Sequence, residues 1–179
     1  MTYTDIIKFW FEELSPEQWW TKDHALDQLI KHRFQKIHQQ AMHCELYLWR
    51  ETAKGRLAEI IILDQFSRNM FRNTPQAFAS DNIALSLAQE AINIGADQSL
   101  TEVERSFLYT PFMHSESLLI HDVAMMLYQK NGIESNFAFE KAHRDIIAKF
   151  GRYPHRNVLL ERKSTPEELE FLSQPNSSF

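Results

Sequence analysis

Apolar residues recur along the chain about every 3.6 residues, which is the period of an α-helix. The clearest stripe consists of Leu26, Ile30, Phe34, Ile37, Ala41, Cys44 and Leu48. Similar stripes run through residues 83–94, 119–126 and 139–150. The apolar run at 60–63 has the length of a buried strand, but a helical face that begins at Leu57 continues through it to Phe71. The pattern therefore predicts helices along the whole chain.

Helix boundaries are marked by capping residues and by glycines. Ser15, Thr74 and Thr165 each precede a proline, which is typical of an N-cap followed by the first helical position. The glycines stand where helical patterns stop and a positive φ is favoured: Gly55, Gly95, Gly132 and Gly151. Because no segment alternates between apolar and polar residues, we predict an all-α fold of stacked antiparallel helical hairpins.

The length of the chain bounds the number of domains. At 179 residues it is long enough for one well-filled core and short of the length at which a second core is expected. No linker or low-complexity segment divides it. We therefore predict a single domain over residues 1–173, followed by a frayed tail at 174–179 that contains proline, asparagine and serine.

Composition and charge exclude several classes of partner. The chain is 44% hydrophobic with a formal charge of −5, so it is expected to be globular and not a general nucleic-acid binder. The longest apolar run, 123–128, is too short to cross a bilayer, and we predict no membrane partner. No secretory signal is visible at the N-terminus, so a cytoplasmic location is expected. The lone Cys44 lies on an apolar stripe and is interpreted as a small buried side chain.

Several polar residues fall where apolar ones are expected. Asp64 and Arg68 lie four residues apart on the apolar face of their helix, in the order that favours an ion pair. Together with Gln65 and Asn69 they either clamp neighbouring helix ends or contribute to a ligand site. The inward positions of His114 and His143, on two other helices, favour a shared polar pocket.

The same residues do not have the spacing of known metal or nucleophile motifs. His114 and Glu116 point about 200° apart around a helix, so they cannot hold one ion from a regular turn. The His-Glu-x-x-His motif, the glycine-framed serine elbow, the phosphate loop and the dinucleotide-binding glycines are all absent from the sequence. We therefore predict neither a metal nor a cofactor.

A concentrated group of cations lies at residues 150–157. Arg152, His155 and Arg156 surround Pro154 at the predicted end of a helix, and Asn157 follows them. One cation could complement the carbonyls of a helix C-terminus, but three exceed what a cap requires. Because the planar guanidinium suits carboxylate and phosphate, this stretch indicates an anion site, with Asp64 or Glu116 as the expected internal partner of the arginines.

These motifs resemble those of a bacterial family known as domain of unknown function 924. The most specific are Leu63-Asp-Gln-Phe-Ser-Arg-Asn69 and Phe150-Gly-Arg-Tyr-Pro-His-Arg-Asn157. Further matches occur at residues 9–11, 18–20, 27, 33–34, 104–105, 113–116, 143 and 164–168. The resemblance covers nearly the whole chain. It implies a single helical domain similar to tetratricopeptide-repeat folds and a recurrent polar set, but the family has no established activity to transfer.

Three hypotheses about function remain open from the sequence. The first is a binding module whose pocket takes an anionic small molecule or a peptide carboxylate, held by Asp64, Gln65, Arg68, Asn69, Arg152, His155, Arg156 and Asn157. The second is a hydrolase or lyase in which His114 or His143 acts as general acid or base and Glu116 or Asp64 orients it. The third is a purely structural polar network. The sequence gives no indication of oligomeric state.

Overall fold

The computed structural model describes residues 1–175 and 177, and in this part of the chain the regular structure is entirely helical. The α-helices are α1 (Tyr3–Lys8), α2 (His24–Met42), α3 (Ala53–Ile61), α4 (Ser67–Met70), α5 (Asp81–Asn93), α6 (Glu102–Met113), α7 (Leu118–Asn131), α8 (Glu134–Phe150) and α9 (Pro166–Leu172). Short 3₁₀ or π turns join several of them.

The predicted all-α class and single domain are confirmed. The boundary at residue 173 stays a prediction, and residues 176, 178 and 179 of the expected tail lie outside the described residues.

Of the predicted N-caps, Thr165 bonds to the first turn of α9, whereas Thr74 makes no side-chain capping bond to its 3₁₀ turn. Thr101 and Thr165 form reciprocal capping boxes with the glutamates three residues later. Gly132 and Gly151 end α7 and α8 with φ of 85° and 69°, which is the left-handed conformation that glycine tolerates best. Local sequence signals therefore located several helix ends, because capping depends on local side chains and the local backbone.

Two boundary predictions are wrong. Helix α2 ends at Met42, so Cys44 follows it, has a φ of 57° and is exposed instead of buried. Leu48 is exposed as well. Gly55 does not stop a helix but lies in the first turn of α3. The predicted helix was too long because apolar residues in the turns that follow α2 continue the helical spacing by coincidence.

The centre of the fold is one nearly continuous helical segment made of α3, a π-helical turn (Ile62–Phe66) and α4. From Leu57 to Ser67 every residue is buried, which is expected of a helix that is covered on all sides. Trp10 and Phe34 pack against Phe66 in tilted contacts, and Phe107 meets Trp10 edge to face. The π-helical turn places Asp64 and Gln65 inside this apolar surrounding.

The C-terminal half is a run of helical hairpins. Helix α6 packs against α7 and α7 against α8, and the connections between them span only residues 114–117 and 132–133. The detailed likeness to tetratricopeptide repeats stays a prediction. Within the described ranges no helix combines the length and the apolarity needed to span a membrane.

Gly55 packs too closely against a neighbouring backbone to accept a side chain. A Cβ at this position would lie 1.9 Å from the Trp49 carbonyl oxygen. We expect Gly55→Ala to lower the free energy of unfolding by about 1–3 kcal/mol or more, because the backbone around Trp49 must move. Urea denaturation measures this, with the exposed neighbour Glu51→Ala as control. Equal midpoints for the two variants would contradict the prediction.

Candidate functional site

The buried carboxylate of Asp64 is the centre of a polar cluster. Its side chain is 0% exposed. Thr110 and Gln65 donate to its Oδ2 at 3.0 and 2.5 Å, and Arg68 Nη1 lies 3.2 Å from its Oδ1. The Nδ1 of His114 lies 2.7 Å from the same Oδ1. Burial alone would raise the pKa of Asp64, but the Arg68 charge and the His114 contact outweigh it and hold the pKa below its usual range. Asp64 is therefore an ionised group.

His114 caps the C-terminus of α6. Because Asp64 is ionised, the contact between them shows which ring nitrogen of His114 carries the proton. A carboxylate only accepts hydrogen bonds, so the neutral imidazole carries its proton on Nδ1 and donates to Asp64. Burial and the Arg68 charge lower the pKa of His114, which favours the neutral ring. Nε2 makes no hydrogen bond to another described residue. Its lone pair is therefore available.

Two arginines share the carboxylate of Asp81 at the start of α5. Arg68 donates from Nη1 and Nη2 to Asp81 at 2.9 and 3.1 Å, which joins Asp81 to the Asp64 cluster. Arg156 donates from Nη1 to Asp81 at a longer 3.3 Å and from Nη2 to the His114 carbonyl at 3.1 Å. The Arg156 guanidinium also lies over the rings of Phe78 and Tyr153. The sequence thus correctly paired Asp64 with Arg68, while Asp81 was not identified as the acidic partner of Arg156.

A cavity of about 250 Å³ opens beside this cluster. Its polar wall is formed by Asp81, Asn82, His114, Ser115, Glu116 and Arg156. Its apolar wall includes Pro75, Phe78, Leu85, Pro111 and Leu160. The cavity therefore brings together three of the predicted site residues, His114, Glu116 and Arg156. Three more, Asp64, Gln65 and Arg68, lie directly behind them.

The N-terminus of α5 borders the cavity through Asp81 and Asn82. Its N-cap residue, Ser80, makes no side-chain capping bond. The Ser80 hydroxyl instead donates to the Leu63 carbonyl at 2.5 Å and pairs with the Ser67 hydroxyl at 2.9 Å. The first amides of this helix therefore lack a side-chain acceptor from Ser80, and the positive end of the helix dipole lies at the cavity.

Glu116 is held by Arg162 and not by the arginines of the 150–157 stretch. Arg162 donates two hydrogen bonds to its carboxylate at 2.6 and 2.9 Å, and the Tyr153 amide donates a third at 2.7 Å. Burial raises the pKa of Glu116, but the Arg162 contact outweighs it and lowers the pKa. Arg162 was missed because nothing in the local sequence indicates which carboxylate it reaches.

Three predicted ligand residues lie in structural contacts away from the cavity. Arg152 forms a fork with Glu168 at 2.7 and 2.8 Å, which holds α9. Asn157 donates to Ser164 and to the same glutamate. Asn69 donates to Asp27 at 2.8 Å in a separate cluster. The expected pairing of Arg152 with Asp64 or Glu116 is therefore wrong.

His143 and His155 pack around Tyr153. The Nδ1 of His143 lies 2.7 Å from the Phe139 carbonyl of its own helix, and both rings contact the Tyr153 ring. Burial lowers the pKa of His143 to about 3 and that of His155 to about 4, so both are neutral near pH 7. Neither residue lines the cavity.

A second buried pair, His121 and Glu140, supports the loop that carries His114 to Glu116. His121 Nε2 lies 2.8 Å from the Ser115 carbonyl, so Nε2 carries a proton. Its Nδ1 lies 2.6 Å from Glu140 Oε1, and this short contact requires one further shared proton. Burial raises the pKa of Glu140, and its Oε2 has no hydrogen-bond partner among the described residues. The raised pKa of Glu140 favours placing this shared proton on the carboxyl group. The sequence showed no signal for Glu140.

No group of three or more His, Cys, Asp or Glu side chains within the described part of the chain is arranged to hold a metal ion.

Comparison with known proteins supports the resemblance noted in the sequence. The model of the family described as bacterial protein of unknown function (DUF924) matches residues 6–176. A solved structure of a protein of unknown function from Agrobacterium tumefaciens is 41% identical, with a TM-score of 0.91 over 95% of this chain and 96% of that one. No curated protein matches the chain.

The protonation assigned to the His121–Glu140 pair predicts different effects for two substitutions. In Glu140→Gln the amide can still donate to Nδ1, so we expect stability within about 1 kcal/mol of the parent chain. In Glu140→Leu the buried Nδ1 loses its donor, which costs about 1–3 kcal/mol. Chemical denaturation measures both variants. If Gln is as damaging as Leu, the pair is an imidazolium and a carboxylate, and the neutral assignment is wrong.

Proposed function

The chain belongs to the bacterial family domain of unknown function 924, which has no assigned activity, and we propose from its cavity that it binds a small molecule with an anionic group. The observation that carries the proposal is Arg156. Arg156 lines the cavity although its side chain is only 8% exposed. A buried guanidinium requires hydrogen-bond acceptors, and this one has few.

The hydrogen-bond balance of Arg156 supports this role. A guanidinium has five N–H donors. In the described structure Arg156 uses one for the Asp81 carboxylate and one for the His114 carbonyl, and its Nε is buried without a partner. An anion in the cavity would accept from the remaining Nη hydrogens. Arg152, in contrast, already has both sides of its fork on Glu168.

The N-terminus of α5 would provide a second source of positive potential. Its dipole is not offset by a side-chain cap from Ser80, and first-turn amides are common ligands of carboxylate and phosphate oxygens. The cavity of about 250 Å³ is below the usual range for drug-sized ligands, so the ligand would be a small metabolite or the last residue of a peptide. The predicted absence of a nucleic-acid partner and the cytoplasmic location stay predictions.

Anion binding can be tested by thermal unfolding with inorganic phosphate, acetate and succinate as probes. A ligand that binds only the folded state at 100 times its Kd stabilises it by about 2.7 kcal/mol. We expect at least one probe to raise the Tm of the parent chain and of Arg152→Gln by several degrees. The shift should be lost in Arg156→Gln. Each shift is measured against the unliganded Tm of the same variant, so any loss of stability does not obscure the result.

A charge-preserving variant completes this experiment. Arg156→Lys keeps the positive charge but not the planar fork, and we expect an intermediate shift. If neither these anions nor a zwitterion such as leucine stabilises the parent chain, or if Arg156→Gln responds as the parent chain does, the proposal is wrong.

A second candidate function is acid–base catalysis, and the 2.7 Å contact between His114 and Asp64 favours it. A carboxylate that accepts from Nδ1 leaves Nε2 free to act as a base, which is the arrangement of a general base and its orienting group. Of the histidines proposed for this role, His114 borders the cavity, and His143 does not. This function requires a neutral His114 near pH 7 and fails if the ring is doubly protonated there.

A further inference from the structure

The cavity carries charges of both signs on its wall. Arg156 contributes a positive charge, whereas Asp81 and Glu116 contribute two negative charges, and His114 is neutral. Behind the wall, Arg68 and Arg162 add two positive charges and Asp64 adds a negative one. The three positive and three negative side chains therefore balance, and the unliganded site has no net side-chain charge.

This balance limits the ligand. A simple anion would leave one negative charge in a partly desolvated site, where unpaired charge is costly. Such an anion could be accommodated only if His114 took up a proton. A ligand that carries its own positive charge would keep the site neutral without a proton.

The acidic side chains on the wall retain capacity for a cation. A carboxylate has about four acceptor sites. Asp81 accepts three hydrogen bonds, from Arg68 and Arg156, and its side chain is 15% exposed. Glu116 also accepts three, from Arg162 and the Tyr153 amide, and its side chain is 27% exposed. Each carboxylate can accept one further bond from the cavity side.

We propose that the ligand is a zwitterion of the α-amino-acid class, which deepens the proposed function and rests on it. Its carboxylate contacts Arg156 and the first amides of α5. Its ammonium contacts Glu116, with Asp81 as the second acceptor. The remaining wall, with Phe78, Leu85 and Leu160, is apolar and favours an aliphatic side chain on the ligand.

Three molecules of matched size test the proposal. Leucine has both charges, 4-methylpentanoate lacks the ammonium, and 3-methylbutylamine lacks the carboxylate. Isothermal titration calorimetry is performed with each at pH 7 in two buffers of different ionisation enthalpy, which reports the protons taken up on binding. We expect leucine to bind at least tenfold more tightly than either analogue, without net proton uptake. The acid should bind with proton uptake.

The pH dependence separates the two ligands further. The charged groups that act on His114 are Asp64, Arg68 and Asp81. Arg156 contacts its backbone carbonyl, Glu116 shares its cavity wall, and His143 interacts with it electrostatically. In the free protein the pKa of His114 is lowered, and a bound anion would raise it. Affinity for the acid therefore rises as pH falls from 8 to 6, whereas affinity for leucine stays constant over this range.

Glu116→Gln tests the ammonium contact directly. We expect this variant to lose the preference for leucine over 4-methylpentanoate while it still binds the acid. Asp122→Asn is the control, because Asp122 pairs with Arg144 away from the cavity lining and its loss should leave the preference unchanged.

The outcomes distinguish the two proposals. If 4-methylpentanoate or phosphate binds at least as tightly as leucine, the anion site stands and the zwitterion inference is wrong. If Glu116→Gln keeps the full preference for leucine, the inference is also wrong. If neither leucine nor any anion binds, both the inference and the proposed function fail.

Discussion

A single buried carboxylate imposes the main constraint on this fold. Asp64 lies in the most buried helical segment, where every neighbouring position from Leu57 to Ser67 is also inside. An ionised group in such a place is tolerated only when its oxygens are hydrogen-bonded and its charge is paired. Gln65 and Arg68 of the same segment provide these contacts, together with Thr110 of α6 and His114 at its C-terminus. Their positions are therefore tied to Asp64.

A series of linked ion pairs connects Asp64 to the wall of the cavity. Arg68 reaches from Asp64 to Asp81, which fixes the start of α5. Asp81 in turn holds Arg156, so the 150–157 stretch is drawn against α5 and the end of α6. On the other side, His121, Glu140 and Tyr153 hold the loop after α6. The cavity is the space that remains between these fixed backbones.

The helical fold and the Asp64–Arg68 centre of the candidate site could be predicted from the sequence, since both depend on helical periodicity. Helical spacing places Asp64 and Arg68 on one inner face and turns His114 inward. Spacing does not show which neighbour a side chain reaches across the core. Arg152 and Arg156 look equivalent in sequence, yet Arg152 reaches Glu168 and Arg156 reaches Asp81. Which charged partner a side chain reaches depends on tertiary packing. For this reason the sequence did not predict the roles of Arg162 and Glu140 either.

Nitrogen-15 NMR of the His114 imidazole tests the central claim most directly. If ionised Asp64 organises the cluster, the ring is neutral at pH 7, carries its proton on Nδ1, and titrates below the ordinary pKa of 6.5 because of its burial and the nearby Arg68. The signals would then show a protonated Nδ1 and an unprotonated Nε2. A doubly protonated ring at pH 7, or a proton on Nε2 alone, would contradict the account.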